Sequence, residues 1–157
     1  MIQRQSIRAL LLTPGGELLL LRIKPPNDTA PFWIAPGGGI EGDETVEAAL
    51  RRELREELGF REFDLGPLVW RRQHTFDWSD TRICQTEQYY IVHAERFVPH
   101  MSDRVEAQIV DRWRWWPIGE LATAAERLTP LSLSYIMKRY LQHGPPRLPI
   151  ELEVLVD

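Results

Sequence analysis

Residues 38–60 read GGIEGDETVEAALRRELREELGF, and this segment carries the strongest structural pattern in the chain. Apolar residues recur at helical spacing after the glycines, which predicts a helix over residues 44–58. Asp43 precedes that helix as the expected N-cap, and Gly59 follows it as the expected C-terminal stop. The segment therefore predicts a helix that begins directly after a glycine-rich loop.

The predicted helix places acidic side chains where a surface helix places apolar ones. With about 100° per residue, one arc of the helix holds Ala49, Leu50, Leu54 and Leu58. Glu53 and Glu57 fall inside this arc, and Glu56 lies at its margin. A solvated face with i, i+4 ion pairs is the usual interpretation of such a charge run, but core-facing carboxylates are costly unless compensated. A divalent cation compensates them, because Mg²⁺ is held by one or two carboxylates with water and phosphate oxygens.

Three consecutive glycines, Gly37, Gly38 and Gly39, lead towards the helix. Glycine adopts positive φ and lets the backbone approach a ligand closely, and a helix N-terminus favours an anion. A glycine run alone more often marks an ordinary turn. Its position before an acid-striped helix predicts a place where a phosphate-bearing ligand meets metal-binding carboxylates.

The spacing of these residues closely resembles the signature of the Nudix hydrolase family, G-x5-E-x7-R-E-U-x-E-E-x-G-U, where U is a bulky apolar residue. The specified positions are matched by Gly38, Glu44, Arg52, Glu53, Leu54, Glu56, Glu57, Gly59 and Phe60. The flanks agree, since residues 33–39 read WIAPGGG and residues 114–117 read RWWP. The resemblance covers residues 4–142 and leaves the proline-rich tail outside it.

The resemblance implies an α/β (α+β) fold, a Nudix-type α/β/α sandwich with a mixed β-sheet. It also implies a metal-dependent pyrophosphohydrolase that cleaves a diphosphate bond in a nucleoside triphosphate or another nucleoside diphosphate-X substrate. Mg²⁺ is the implied cofactor, with Mn²⁺ as a substitute. Two alternatives stay open: a non-catalytic nucleotide-binding or regulatory Nudix domain, and an RNA 5′-end pyrophosphohydrolase.

Site residues follow from the resemblance position by position. Glu53, Glu56 and Glu57 are the implied metal ligands, together with the carbonyl of Gly37. Arg52 is expected to orient a glutamate through a charge-assisted hydrogen bond, and Glu44 to anchor the helix or act in the outer shell of the site.

The general base and the substrate contacts are less constrained. Glu53 is the first choice for the base, and Glu106, in the loop before the last strand, is the alternative. Taken on its own, Glu106 is more simply explained as an exposed loop acid. Gly38 and Gly39 are expected to contact substrate. Arg22 and Arg8 are candidates for phosphate contacts, and partner acids on neighbouring strands explain them equally well. Trp33 is a candidate for a stacked base, although such a residue more often lies in the core.

The rest of the chain alternates strands with a few helices. Strands are predicted at residues 6–13, 17–23, 65–76, 83–94 and 112–118, and further helices at residues 118–127 and 131–142. Residues 32–35 are a short apolar segment. A Nudix domain is expected over residues 1–143. Residues 144–157 form a proline-rich tail whose residues 150–156 alternate like an edge strand, which could pair with the sheet or with a second copy in a homodimer.

The net charge and the cysteine content limit the partners and covalent links that the chain can have. The formal net charge of −4 in 157 residues argues against broad, non-specific nucleic-acid binding, so nucleic acid is an unlikely partner. Cys84 is the only cysteine, which excludes an internal disulfide and predicts a buried structural thiol. No signal-like or membrane-spanning run is evident, so a cytoplasmic location without membrane contact is the default expectation.

Overall fold

The computed structural model describes residues 1–24, 30–78, 80–100 and 110–156. Its strands are β1 (Ile2–Leu12), β2 (Glu17–Ile23), β3 (Phe32–Ile34), β4 (Gly37–Gly39), β5 (Leu68–Trp78), β6 (Thr81–His93), β7 (Val110–Pro117), β8 (Arg127–Thr129) and β9 (Ile150–Val156). The helices are α1 (Val46–Leu58) and α2 (Leu133–His143), and a 3₁₀ helix, η1, spans Ile118–Thr123.

One mixed sheet organises the described residues. Its strand order is β8-β3-β2-β1-β6-β5-β9, with β4 also pairing with β1 and β7 with β2. The pairs β1–β6, β3–β8 and β5–β9 are parallel, and the remaining pairs are antiparallel. The mixed sheet expected from the sequence is confirmed.

Both faces of the sheet are covered, because successive side chains of a strand point to opposite sides. On β1, Ile7 and Leu11 pack in the cluster that contains the apolar face of α1. Leu10 and Leu12 pack in the other cluster, with side chains of η1 and α2. The predicted arrangement of helices on either side of a sheet is therefore present.

The neighbours of β1 change along its length. Next to the turn it pairs with β2 through Leu12 and Leu18. Further towards its N-terminus it pairs with β4 instead, and Arg8 lies opposite Gly37. This exchange brings the glycine strand beside the middle of the sheet, directly before α1.

Helix α1 begins two residues later than the predicted start. Thr45, in extended conformation, is its N-cap, and the Thr45 hydroxyl accepts from the Ala48 N–H at 3.1 Å. The prediction of Asp43 as N-cap was wrong, because Glu44 still belongs to a turn in which its N–H donates to the Glu41 carbonyl. The predicted stop at Gly59 is confirmed, with φ of 68°.

Two other predictions need correction. The helix expected at residues 118–127 is only the short 3₁₀ helix η1, followed by β8, because β8 pairs with β3 and so draws the chain into the sheet. The three glycines that were expected to form a loop, Gly37 to Gly39, form strand β4 instead. Both differences arise from strand pairing between distant segments, which local patterns do not report.

The tail strand predicted at residues 150–156 is confirmed as β9, which pairs in parallel with β5. Glu153, at φ of 58°, accepts hydrogen bonds from the backbone N–H groups of Leu131 and Ser132, at 3.1 and 2.8 Å. Its carboxylate also lies 3.4 Å from Arg72 Nε. The tail thus satisfies backbone donors at the start of α2, where a helix lacks internal partners.

Replacing Glu153 with Gln is expected to lower the free energy of unfolding by about 1–3 kcal/mol, since charged acceptors make the stronger hydrogen bonds. Truncation after Gly144 is expected to cost more, because β9 is lost as well. Denaturant unfolding measures both effects. Glu151→Gln on the same strand is the control, because its carboxylate is exposed and lies 4.0 Å from Arg71. Equal stability of the two point variants would contradict this role of Glu153.

The lone cysteine, Cys84, is buried as expected. No helix of the described ranges is long and apolar enough to cross a membrane.

Candidate active site

Glu57 is a buried carboxylate on the face of α1 that meets the sheet. Only 6% of the residue is exposed. The Gly37 N–H donates to Glu57 Oε2 at 3.2 Å. The helical pattern therefore predicted the direction of this side chain correctly, and β4 supplies a backbone donor to it.

Glu53 lies against the glycine strand one turn earlier. Its side chain is 13% exposed. A Cβ atom on Gly38 would come within 2.5 Å of Glu53 Oε1. Gly37 has φ of 143°, and a Cβ there would meet the Ile7 carbonyl. Glycine is therefore required at position 37, because a side chain there would push β4 away from β1, whereas a side chain at position 38 would displace the Glu53 carboxylate.

Arg52 connects several carboxylates of the site through its hydrogen bonds. It donates to both oxygens of Glu44, at 2.9 and 3.0 Å, and to the Gly39 carbonyl at 2.9 Å. Its Nη1 lies 2.9 Å from Glu53 Oε1 and 3.4 Å from Glu56 Oε2. The hydrogen bonds from Arg52 lower the pKa of Glu44 and keep that carboxylate ionised.

The three predicted metal-binding glutamates differ in exposure. Glu53 and Glu57 turn towards β4, whereas the Glu56 side chain is 42% exposed. Among the residues that the structure describes, no three Asp, Glu, His or Cys side chains converge to hold one metal ion. The donors nevertheless fit Mg²⁺, a hard cation that needs only one or two carboxylates when water and phosphate oxygens complete its shell.

Arg8 supplies positive charge on the other side of the glycine strand. Its Nη1 donates to the carbonyls of Ala35 and Gly37, both at 3.2 Å, and its Nε donates to Glu87 at 3.1 Å. Burial opposes the charge of Arg8, but the attraction of Glu87, with a smaller contribution from Glu57, raises its pKa. The protein itself therefore compensates part of the buried charge of Glu57.

A second arginine completes this buried cluster. Arg72 Nη1 lies 2.6 Å from Glu87 Oε1, and Glu87 is 5% exposed. Burial raises the pKa of Glu87, but Arg8 and Arg72 outweigh that effect and hold the pKa below its usual range. Burial also raises the pKa of Tyr89, whose hydroxyl lies 3.4 Å from Glu87 Oε1. We refer to Arg8, Glu87, Arg72 and Glu153 as the buried charge chain.

A cleft of about 380 Å³ opens beside Arg8. Its lining comprises Arg8, Ile23, Phe32, Ile34, Ala35, Arg72, His74, Phe76, Gln85, Glu87, Tyr89 and Thr129. The polar residues that β5 and β6 contribute to this lining were not predicted as site residues from the sequence. Their signal is a period of two: positions 72, 74 and 76 of β5, and 85, 87 and 89 of β6, share one face of paired strands.

Arg22 and Trp33, which were predicted to contact substrate, both donate hydrogen bonds to the same carboxylate, that of Glu126. Arg22 binds it with Nε and Nη2, at 3.0 and 2.7 Å, and reaches Asp111 with Nη1 at 2.6 Å. Trp33 donates its indole N–H to Glu126 at 2.9 Å and packs in the cluster on the α2 side. The alternative explanations, a partner acid for Arg22 and a core position for Trp33, describe these contacts.

The other predicted residues divide between the site and its surroundings. Gly38 and Gly39 lie in β4, and the Gly37 carbonyl, the predicted fourth metal ligand, accepts from Arg8. Glu106, the alternative base, lies outside the described residues. Its role stays a prediction.

A mixed sheet between helices, with a glutamate-striped helix docked on a glycine strand, defines an α+β domain of the Nudix type. The family model described as NUDIX domain matches residues 2–137. The chain therefore belongs to this family, and the family resemblance of the sequence is confirmed.

Similar proteins bear names that describe hydrolases. An RNA pyrophosphohydrolase of Stutzerimonas stutzeri (strain A1501) is 29% identical over 166 residues, covering 94% of each chain. Nucleoside triphosphatase NudI of Enterobacter sp. (strain 638) is 31% identical over 93 residues, covering 59% of this chain and 66% of that protein. The crystal structure of a MutT NUDIX hydrolase from Burkholderia pseudomallei has the same fold, with a TM-score of 0.62 and 24% identity over 88% of this chain and 98% of that one.

Proposed function

We propose that this protein is a Mg²⁺-dependent pyrophosphohydrolase that cleaves a diphosphate bond in a nucleoside triphosphate or a related nucleoside diphosphate derivative. The observation that carries the proposal is the buried Glu57 carboxylate, bonded to the Gly37 N–H with Glu53 one turn away. A buried acid next to a second acid, beside a strand that lacks side chains, suits a cation shared with a phosphate.

Glu53, Glu56 and Glu57 are the residues that would hold the metal, with the Gly37 carbonyl as a further oxygen donor. When bound, Mg²⁺ polarises a phosphoryl oxygen and lowers the pKa of an attacking water. Mn²⁺ offers similar chemistry to oxygen ligands.

The residues of the chain have separate tasks in the proposed reaction. Arg52 holds Glu53 and Glu56 at the distances described above, and the Gly37 N–H holds Glu57. Glu53 accepts the proton of the attacking water, since its carboxylate lies directly against the bare backbone of Gly38, beside the other two glutamates. Glu106 is the alternative acceptor.

The cleft beside Arg8 offers a place for the nucleoside part of the substrate. Phe32, His74 and Phe76 contribute rings to its lining, and Gln85 contributes an amide that both donates and accepts hydrogen bonds. Rings that stack on a base and polar groups that contact its edge are the usual means of binding nucleobases.

RNA 5′ ends are a second candidate substrate. The RNA pyrophosphohydrolase relative spans 94% of both chains, whereas the match to the nucleoside triphosphatase covers 59% of this chain. Action on a 5′ end requires the same triphosphate chemistry with few additional phosphate contacts, so a net charge of −4 does not oppose it.

The proposed function is tested by incubating the protein with nucleoside triphosphates, nucleotide sugars, dinucleoside polyphosphates and 5′-triphosphorylated RNA. With Mg²⁺ or Mn²⁺ we expect pyrophosphate or phosphate from nucleoside triphosphates and triphosphorylated RNA. Cleavage of a nucleotide sugar would instead give a nucleoside monophosphate and a sugar phosphate, and cleavage of a dinucleoside polyphosphate would give two nucleotides. A chelator should abolish every product. The ratio of kcat/KM for a nucleoside triphosphate and for RNA identifies the preferred class. A folded protein that binds nucleotide with Mg²⁺ present but hydrolyses none of these compounds would support the non-catalytic alternative instead.

A further inference from the structure

We propose that Arg8 is a positioning residue for Glu57, which acts by holding the glycine strand, and that Glu87 holds Arg8 in place. The proposal deepens the proposed function and rests on it for the activity measurement. Its other measurements concern only the strand and the binding of a metal ion.

Arg8 and Glu57 bind the two ends of the same residue. The Gly37 N–H donates to Glu57, while the Gly37 carbonyl accepts from Arg8 Nη1. The same Nη1 also binds the Ala35 carbonyl. One guanidinium group therefore sets the position of the backbone from which Glu57 receives its hydrogen bond.

Strand β4 needs such a contact because it consists of three glycines. Glycine loses more conformational entropy on folding than other residues, and it has no side chain to pack. Pairing with β1 through Ser6, Ile7 and Arg8 orders one edge of β4. The Arg8 side chain adds two hydrogen bonds, one to the carbonyl of Gly37 in the strand and one to the carbonyl of Ala35, two residues before it.

Glu87 keeps the Arg8 side chain from moving freely. One Glu87 oxygen binds Arg8 Nε at 3.1 Å, and the other binds Arg72 Nη1 at 2.6 Å. A buried ion pair is often no more stable than apolar residues of similar size. Here the ion pair fixes the direction of the Arg8 guanidinium, which an apolar side chain could not do.

The test compares Arg8→Met and Arg8→Lys with the wild-type protein. We expect Arg8→Met to increase hydrogen exchange of the Gly37 amide about 10-fold or more, relative to the buried Leu20 amide. We expect Mn²⁺ binding, measured by calorimetry without substrate, to weaken by about 10–100-fold, as for other residues that support metal ligands. In turnover assays, kcat should fall while KM changes little. Arg8→Lys should recover part of each property, since it keeps a donor.

Arg72→Met is the matched control, because its described hydrogen bonds lead to Glu87 and Glu153. It removes the ion pairs to Glu87 and Glu153, so folding stability should fall in both Met variants. Only Arg8→Met should release the Gly37 amide. Equal amide exchange and Mn²⁺ affinity in Arg8→Met and the wild type would overturn the proposal, as would equal changes of these two properties in both Met variants. An increase in KM alone would assign Arg8 to substrate binding instead.

Failure of the proposed function remains distinguishable from failure of this inference. If the wild-type protein hydrolyses nothing, the exchange and Mn²⁺ measurements still decide whether Arg8 positions the glycine strand. If the wild type is active and Arg8→Met keeps its Gly37 protection, only the inference is wrong.

Discussion

Replacement of Glu57 by Gln is expected to lower metal-dependent turnover at least about 100-fold, since even residues that merely support metal ligands cost 10–100-fold. The amide is neutral and a weak ligand for a hard cation. It still accepts a hydrogen bond from the Gly37 N–H, so β4 keeps its partner. Loss of activity would thus reflect the missing charge and not a displaced strand. Steady-state kinetics with Mg²⁺, and calorimetric Mn²⁺ binding, measure the effect.

The fold of the Glu57→Gln variant should be preserved. Removing a buried charge near Glu53 relieves repulsion, while loss of the attraction to Arg8 opposes that gain, so we expect a change within about 1 kcal/mol. Glu47→Gln is the control on the same helix, because its side chain is 51% exposed and pairs with Arg51. Near-normal turnover of Glu57→Gln, or an equal loss in Glu47→Gln, would contradict the assignment of Glu57 as a metal ligand.

Replacement of Glu87 by Gln is expected to have the largest effect on stability. It leaves the guanidinium groups of Arg8 and Arg72 in the protein without their shared counter-charge. Breaking a buried ion pair by removing one partner costs about 3–5 kcal/mol, which corresponds to a fall in Tm of about 6–20 °C for a protein of this size. Denaturant and thermal unfolding measure the change.

An exposed ion pair provides the comparison for Glu87. Arg114 and Glu120 lie 3.0 Å apart at the surface, and exposed pairs contribute about 1 kcal/mol or less. Glu120→Gln should therefore leave stability almost unchanged. A loss in Glu87→Gln as small as that in Glu120→Gln would show that the buried charge chain does not stabilise the fold.

Glu87 also makes the stability of the protein depend on pH in the acid range. Because Arg8 and Arg72 hold the pKa of Glu87 below its unfolded value of about 4.3, its contribution is complete above that pH. Protonation as the pH falls through the lower folded pKa removes it. The free energy of unfolding of the wild type should therefore decrease below about pH 4, and Glu87→Gln should show a flatter dependence there. Parallel curves for the two proteins would contradict this origin.

Helix α1 and the direction of its glutamates could be predicted from the sequence, because the information that specifies a helix lies in neighbouring residues. The direction of Glu53 and Glu57 depends only on helical periodicity and on neighbouring apolar residues, and the structure agrees with it. The same local information misplaced the N-cap, because Asp43 and Thr45 both have capping side chains. The turn that ends at Glu44 decided between them.

The surroundings of the glutamates depend on residues far apart in the chain. Glu87 lies 79 positions from Arg8, and Glu153 lies 81 positions from Arg72. Single-sequence patterns carry no information about which strands become neighbours. For that reason, the buried charge chain and the cleft beside Arg8 were not predicted. Glu126 was likewise not identified as the partner of Arg22 and Trp33.

Residues 38–60 by themselves determined the family, the helix and the inward direction of Glu53 and Glu57, because a helix repeats every few residues and needs no distant partner. Only the tertiary structure decided how those acids are compensated. Pairing of β1 with β4 brings Arg8 to the Gly37 carbonyl while α1 brings Glu57 to the Gly37 N–H. A cation was expected beside these buried carboxylates, and the fold supplies part of that charge from Arg8 and Arg52, because buried charges must be paired wherever partners can reach them.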